Sequence, residues 1–350
     1  MNPEANTRVI EELRRIAHLL ERKLAPSYRV EAFRRAVAAL AVVDIEGLAR
    51  TNQLRSLRGV GEKIEAVVLE ALKDGQSTYR LKLEDELGEQ ADSSLRMALK
   101  GDLHVHTNWS DGGATMLEMV EGAIAQGHQY VAITDHSPSL KIARGLSIER
   151  LEEQFKLVED VQRQVGDRIR ILTGSETDIL LDGSLDWPED YLRRLDIVVG
   201  SVHNKLRIPP EEMTPRLIEV MQNPYLDILG HPTGRMSGVV RSNYDHELVF
   251  AAAARFGVAL EINCSPARLD LQPHHVVTAS ALGCRFSIDT DSHAVGQLDW
   301  QGYGVLIAEE AGIGAEQIIN TYPVEELLTQ RERPDLSDTV LPAPSPKMPV

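Results

Sequence analysis

The chain has 350 residues, 26% charged and 43% hydrophobic, with a formal net charge of −16. That length supports one large domain plus a small one, and no apolar run approaches the ~18 residues of a membrane span. The opening MNPEANTRVIEELRRI lacks the basic-then-apolar pattern of an export signal, and Cys264 and Cys284 show no CxxC spacing, so the expectation is a cytoplasmic protein with ordinary buried thiols. The charge is unevenly placed. Residues 1–90 hold 15 basic and 15 acidic side chains, and the other 22 basic and 38 acidic ones carry the whole excess. A large acidic domain suits a divalent-cation site and disfavours DNA binding by bulk charge.

Residues 5–24 place Ile10, Leu13, Ile16, Ala17, Leu20 and Leu24 at helical spacing. Pro26 and Ser27 break the pattern, and Val30, Phe33, Val37 and Leu40 form a second stripe. Asp44 is positioned to cap a third, short helix. Gly59 and Gly61 then bracket Val60 between two helical patterns, followed by Lys63. Two glycines permit a tight turn and close approach of another backbone, and the amides that open the next helix are free to meet an anion. The bland alternative is an αα-hairpin that only packs. Gly59-Val60-Gly61 resembles a helix-hairpin-helix, which holds a DNA phosphate by backbone amides. The wider pattern, from Tyr28-Arg29-Val30 through Ala36 to the Gly75 turn, resembles the N-terminal domain of family-X DNA polymerases. The resemblance implies DNA contact by Gly59, Val60, Gly61 and Lys63. Family members with lyase activity carry a Schiff-base lysine four residues after the one matching Lys63, where this chain has Val67, so that chemistry is not expected.

Residues 91–100 read as a polar linker. From residue 101 onward, apolar runs alternate with amphipathic helical stretches: DLHVH, YVAITDH, IRILTGSETDI, DIVVGSVH, LDILGHP, VALEIN and FSIDTDSH. Helical patterns lie between them at Met116–Ala125, Ile148–Val165, Arg216–Met221, His246–Arg255 and His274–Leu282. Alternation of this kind implies parallel βα units. Seven units predict an α/β fold, a distorted (β/α)7 TIM-like barrel, with a doubly wound sheet as the alternative.

Polar residues favour the barrel, whose sites gather at the C-terminal ends of strands. Six of the seven runs end in His, Asp or Glu: His104 and His106, His136, Glu176, His203, His231, and Asp291 with His293. His104 and His106 are two apart, so a strand points both to one face. Asp111 follows in a Gly-bounded turn. The remaining histidines, His18, His128, His246, His274 and His275, fall on helix or loop segments. Nine ligands exceed the about four that one Zn²⁺ takes. They suit two or three ions spaced roughly 3.5–4 Å apart, and N/O ligation without thiolate fits Mn²⁺, Fe²⁺ or Zn²⁺.

The motifs DLHVHTNWSDG, ITDHS, GSETDI, SVH, GHP and DTDSH together resemble the PHP (polymerase and histidinol phosphatase) family, a (β/α)7 barrel of metal-dependent phosphoesterases. The resemblance implies one metal at His104, His106, Glu176 and Asp291. It implies a second bridged by Glu176 to His203 and His231, and a third at Asp111, His136 and His293. Some relatives have His in place of Asp111. LDGSLDWPEDYL, HPTGR, LEINCSPARLDL and YGVLIAEEAGIGAEQIINT are similar to the PHP domain fused to bacterial family-X polymerases, and add Asp182, Asp186, Arg235, Glu261, Asn263 and Arg268. Arg235 and Arg268 are candidates for a phosphate clamp or for salt bridges to nearby carboxylates. Glu176, His203 and His231 enter the catalytic set, the two histidines as candidates for leaving-group acid.

The expected organisation is a helical helix-hairpin-helix domain at 1–90, a linker at 91–100, a PHP barrel at 101–330 and a Pro-rich disordered tail at 331–350. No segment between the first two domains is long enough for a polymerase domain. The expected function is hydrolysis of phosphate esters at DNA ends, as a 3′–5′ exonuclease or 3′-phosphatase in repair. Its partners would be DNA 3′ ends or gapped duplex and a separate DNA polymerase or ligase, with no membrane. One rival is a small-molecule phosphomonoesterase such as histidinol phosphatase. Another is a DNA-binding accessory protein without catalysis.

Overall fold

A computed structural model describes residues 3–88 and 93–329. The Pro-rich tail expected at 331–350 lies outside the described residues. The chain divides into two compact units, an N-terminal one that also takes in Val295–Asp299, and the remainder.

The first unit is helical: α1 (Pro3–Arg22), α2 (Ser27–Leu40), α3 (Ile45–Arg50), α4 (Glu62–Asp74) and α5 (Thr78–Leu87). Leu13, Ile16, Leu20, Phe33, Leu40, Ile64 and Val68 share its core, so the helical stripes predict the buried faces. Leu24 departs from its stripe. It is half exposed and left-handed at φ 54°, because the helix has already ended at Arg22. Gly59 turns the chain into α4 with φ 98°, a conformation that side chains resist. Gly61 occupies the N-cap position of α4, and a Cβ there would meet nothing within 4 Å.

The second unit is a parallel barrel. Its strands are β1 (Gly101–Val105), β2 (Tyr130–Ile133), β3 (Arg170–Asp178), β4 (Ile197–Ser201), β5 (Ile228–Leu229), β6 (Ala259–Asn263) and β7 (Phe286–Asp289). They pair in sequence order, each parallel to the next. A parallel bridge between Val105 and Ser292 joins the last to the first. The strands are nearly continuous apolar runs because both faces are covered. Helices α6 (Ser94–Ala98), α7 (Met116–Ala125), α8 (Ile148–Val165), α9 (Glu189–Leu192), α10 (Pro210–Met221), α11 (His246–Phe256), α12 (Pro273–Ala281), α13 (Gln301–Glu310) and α14 (Val324–Thr329) complete the unit. The segment expected as a linker carries α6, whose Leu95 joins the same apolar cluster as Leu99 and the barrel strands. His128, expected on a surface, is buried with Nε2 3.1 Å from Gln301 Oε1.

The period-2 geometry of strands places the site. Tyr130, Ala132, Leu172, Ile197, Val199 and Ala259 pack in one cluster with Ile319 and Leu327. Counting forward in twos along the same strand faces leads to His136, Glu176, His203 and Glu261. Each of these faces therefore begins apolar and ends in a polar group at the C-terminal mouth.

Gly101 lies where β1 meets β2, and a Cβ there would fall 2.2 Å from the Tyr130 ring and 2.4 Å from its carbonyl oxygen. Gly101→Ala is expected to destabilise the barrel by about 1–3 kcal/mol. Urea unfolding followed by far-UV circular dichroism would show this as a lower midpoint at unchanged slope.

Candidate metal centre

Glu176 stands near the C-terminal end of β3 with its side chain almost wholly buried, and its two oxygens face different histidines. Oε2 lies 3.4 Å from His104 Nε2, 3.4 Å from His106 Nε2 and 2.8 Å from His136 Nδ1. Oε1 lies 2.8 Å from His231 Nε2 and 3.2 Å from His203 Nε2. Asp291 Oδ1 completes the first side at 3.2 Å from His106 Nε2 and 3.7 Å from His104 Nε2. Asp111 Oδ1 sits between His136 Nε2 and His293 Nε2, at 3.4 and 3.3 Å. Many of these spacings match the ~3.3 Å ligand–ligand edge of a tetrahedron with bonds near 2.0–2.1 Å.

Three donor sets could each hold a cation: His104, His106, Glu176 and Asp291; His106, Asp111, His136 and His293; and His136, Glu176 and His203. The first is the set that the resemblance implies. The second contains the implied Asp111, His136 and His293 with His106 added. The third has His136 where His231 is implied, while His231 approaches Glu176 Oε1 directly. All nine expected residues converge on one cavity at the barrel mouth.

The buried polar atoms fit cations. His104 Nε2, His106 Nδ1 and Nε2, His136 Nδ1, Glu176 Oε2 and His231 Nδ1 are buried without hydrogen-bond partners. Each such group costs roughly 1–3 kcal/mol in a dry interior. Cations among them would satisfy most of this set at once. Backbone geometry is also unusual here, since His231 and Asp291 take φ 26° and 53°, a region that non-glycine residues seldom enter.

The charges polarise one another. Burial pushes the Glu176 carboxyl upward, but His203, His136 and His104 outweigh it and hold it well below its usual range. Burial likewise opposes protonation of His136 and His203, yet Glu176, with Asp111 and Asp178 respectively, lifts them to about 10 and about 9. His106, dried by burial and flanked by His293 and His136, falls to about 3. Burial and Arg268 lower His231 to about 4.

A surrounding layer fixes the ring orientations. Glu261 Oε1 lies 2.6 Å from His104 Nδ1, and its Oε2 accepts the His231 amide at 2.5 Å. Asp178 Oδ1 lies 2.5 Å from His203 Nδ1. Such partners choose the ring nitrogen left to face a metal. Asp135 accepts the Thr107 amide and hydroxyl at 2.8 and 2.7 Å, which ties the β1 loop to the end of β2. Asp178 and Asp135 are absent from the sequence reading. Asp178 had a usable signal, since it stands two residues after Glu176 on the same strand face.

The other expected residues are placed as follows. Arg268 Nε pairs with Asp291 Oδ2 at 3.0 Å, the salt-bridge alternative. Arg235 donates from Nη1 to the Arg268 carbonyl. Asn263 Nδ2 reaches Glu261 Oε2 at 3.1 Å and Asp291 Oδ2 at 3.2 Å. Asp186 accepts the Ser139 amide at 2.7 Å, and Asp182 accepts that of Ser184 at 3.0 Å. Neither of these two aspartates joins the cage. In the helical unit, Tyr28, Arg29, Phe33, Gly59, Val60, Gly61, Lys63 and Tyr79 line a depression of about 570 Å³. There Lys63 Nζ sits 3.5 Å from the centre of the Tyr79 ring, and Arg29 Nη2 donates to Tyr79 Oη at 2.7 Å. Val67 is buried in the core. Among the described residues no helix is long and apolar enough to cross a membrane.

A parallel barrel with a cage of His, Asp and Glu at its C-terminal mouth defines the metal-dependent hydrolase class of such barrels. Residues 102–263 match the PHP domain family, and residues 4–77 match a helix-hairpin-helix domain. The chain is 38% identical over 239 residues to the DNA polymerase/3′-5′ exonuclease PolX of Bacillus subtilis, covering 68% of this chain and 42% of that protein. It is 33% identical over 241 residues to a probable phosphatase of Acetivibrio thermocellus, covering 63% of this chain and 90% of the relative. A similar relative from Caldanaerobacter subterraneus is 30% identical over 241 residues, with 65% and 89% covered. Histidinol phosphate phosphatase from Lactococcus lactis, solved with zinc, L-histidinol and phosphate, superposes with TM-score 0.48 at 20% identity over 61% of this chain and 94% of that one. The chain belongs to the PHP family of phosphoesterases.

In the metal-free protein, His136 and His203 carry folded-state pKa values raised above 6.5. Their contribution to stability is complete below about pH 6.5 and is lost as pH rises through about 9 to 10. Cations held by the same groups would displace those protons. Scanning calorimetry is expected to show a melting temperature that falls between pH 7 and 10 in chelator and stays nearly flat with Mn²⁺ or Zn²⁺. Glu176→Gln should abolish that difference.

Proposed function

We propose that this protein is a DNA-end phosphoesterase, removing nucleotides or a terminal phosphate from 3′ ends. The observation that carries the reading is the joining, in one chain, of a barrel cage centred on Glu176 to a helix-hairpin-helix unit. The similarity to a PolX that is named as a 3′-5′ exonuclease supports the same substrate class.

In this reading His104, His106, Glu176 and Asp291 hold one divalent cation. Glu176 shares a second with His203 and His231, and Asp111, His136 and His293 hold a third. Mn²⁺, Zn²⁺ or Fe²⁺ at such a site supplies stabilisation of phosphoryl charge and a lowered pKa for an attacking water. The chain's own groups set the geometry. Glu261 and Asp178 fix the His104 and His203 rings, so no reorientation is needed during reaction. Arg268, tethered to Asp291, brings a guanidinium to the edge of the cage, where a phosphate oxygen would approach. Asp111 and His293 are partly exposed and mark the side by which substrate enters. The depression around Arg29, Gly61 and Lys63 holds a DNA phosphate with two cations and the amides that open α4.

The second reading is a phosphomonoesterase of small metabolites, favoured by the probable phosphatases, which align along about nine-tenths of their length.

Full-length, metal-loaded protein with Mn²⁺ is expected to shorten or 3′-dephosphorylate a 3′-recessed duplex, as seen on denaturing gels. His104→Ala or Asp291→Ala should reduce this by at least about 10³-fold while leaving DNA affinity unchanged. Turnover of histidinol phosphate alone, with the duplex untouched, would give the second reading.

A further inference from the structure

The loops at the barrel mouth leave their cations without carboxylate partners. Lys141 and Arg144 lie between β2 and α8, Lys205 and Arg207 between β4 and α10, and Arg241 between β5 and α11. All five are exposed, and among the described residues none forms an ion pair. The carboxylates of the same mouth loops are committed elsewhere. Asp135 accepts from Thr107, Ser110 and Gln154, and Asp186 from Ser139. Asp182 accepts from Ser184, Asp245 caps α11 and Asp270 accepts from Thr233. On α8 and in the turns that precede β3 and β4, arginines are paired instead. Arg163 pairs with Asp160, Arg168 with Glu121, Arg193 with Glu189 and Arg194 with Glu152. In a chain with 16 surplus acidic charges, these five mouth-loop cations are thus left to solvent.

The two loops that bear Lys205, Arg207 and Arg241 are joined. A Cβ on Gly234 would lie 2.7 Å from Leu206 and 3.8 Å from Arg241 Cβ, so the loops after β4 and β5 touch. Ser237 donates its amide to the Ala267 carbonyl, which continues the rim to the loop after β6. Arg144 and Lys205 both take φ 58°, a backbone conformation that side chains adopt at some cost. Exposed aliphatic residues stand beside the cations, Ile142 at 93% and Val239 at 56% exposure.

We propose that Lys141, Arg144, Lys205, Arg207 and Arg241 form a cationic rim that grips the backbone of a single-stranded nucleic-acid end as it enters the cage. The proposal rests on the DNA-end reading and adds the form of the substrate. Several phosphates in a row explain cations spread over three loops, whereas one small phosphate ester meets only the cage. Glu176 is buried at the base of the mouth, where an unpaired end can reach and a stacked base pair cannot. Ile142 and Val239 then offer apolar surface to unstacked bases.

The test measures binding apart from chemistry. Full-length, metal-loaded protein is titrated into a 5′-fluorescein single strand of about 12 nucleotides, phosphorothioate-linked to prevent cleavage, and anisotropy is read from about 50 to 200 mM salt. A variant combining Lys141→Gln, Arg144→Gln, Lys205→Gln, Arg207→Gln and Arg241→Gln is expected to bind at least tenfold more weakly. Its log K against log salt slope should be shallower by about 3.5, from roughly 0.7 for each of the five lost phosphate contacts. A control carrying Arg163→Gln, Arg168→Gln, Arg193→Gln and Arg194→Gln should bind like the wild type. Hydrolysis of p-nitrophenyl phosphate should stay within twofold in the rim variant, which shows that the cage is intact. Wild-type affinity and slope in the rim variant would overturn the rim, as would an equal loss in the control. Failure of the wild type to hydrolyse any phosphate ester would instead overturn the phosphoesterase reading, because the binding measurement stands without turnover.

Discussion

The carboxylate of Glu176 is the constraint on which the site depends. One oxygen faces His104, His106 and His136, and the other faces His203 and His231. A single charge buried among five imidazoles is stable only if its neighbours are arranged for it. The barrel makes that arrangement by bringing the ends of β1, β2, β4 and β5 around the C-terminal end of β3. Strand order β1 to β7 with parallel registers is what turns a sequence-distant set into a compact cage. No local motif could do so, because no two of these strands contribute more than a pair of residues each.

Much of this arrangement can be read from the chain. The apolar runs, their polar ends and the intervening helical stretches predict seven strands and the mouth of a barrel. Helices Met116–Ala125 and Ile148–Val165 match their predicted bounds, and in the structure Thr115 and Ser147 cap their first turns. What periodicity does not give is the partner of each ring. Glu261 meets His104 from a strand 157 residues away, and only the closed register brings them together. The run LDILGHP shortens to a two-residue strand because the chain turns at Gly230 and His231 to bring the imidazole to Glu176. Burial of His128 also escapes the sequence, since its partner Gln301 belongs to a helix that follows all seven strands.

In both units the local placement of charge departs from the net charge. The helical unit is neutral overall, yet its depression gathers Arg29 and Lys63 over the open start of α4. The barrel is acidic overall, yet its mouth carries cations that its own carboxylates do not neutralise. Local placement therefore matters more than the sum, because screening limits the reach of exposed charge to about 8–10 Å at physiological salt. An acidic protein can hold a polyanion provided the contacts are short and the surplus anions lie beyond that distance.

This placement bears on why the cage tolerates so many buried ligands. Asp291 is shared by His106, His104, Asn263 and Arg268, so its charge is spread over four neighbours before any cation arrives. Asp111 is more exposed and pairs with His136 and His293. A cation held at Asp111 would meet water more readily than one held by the buried Glu176 and Asp291. The cage is thus graded, with its most constrained ligands at the base and its loosest at the rim.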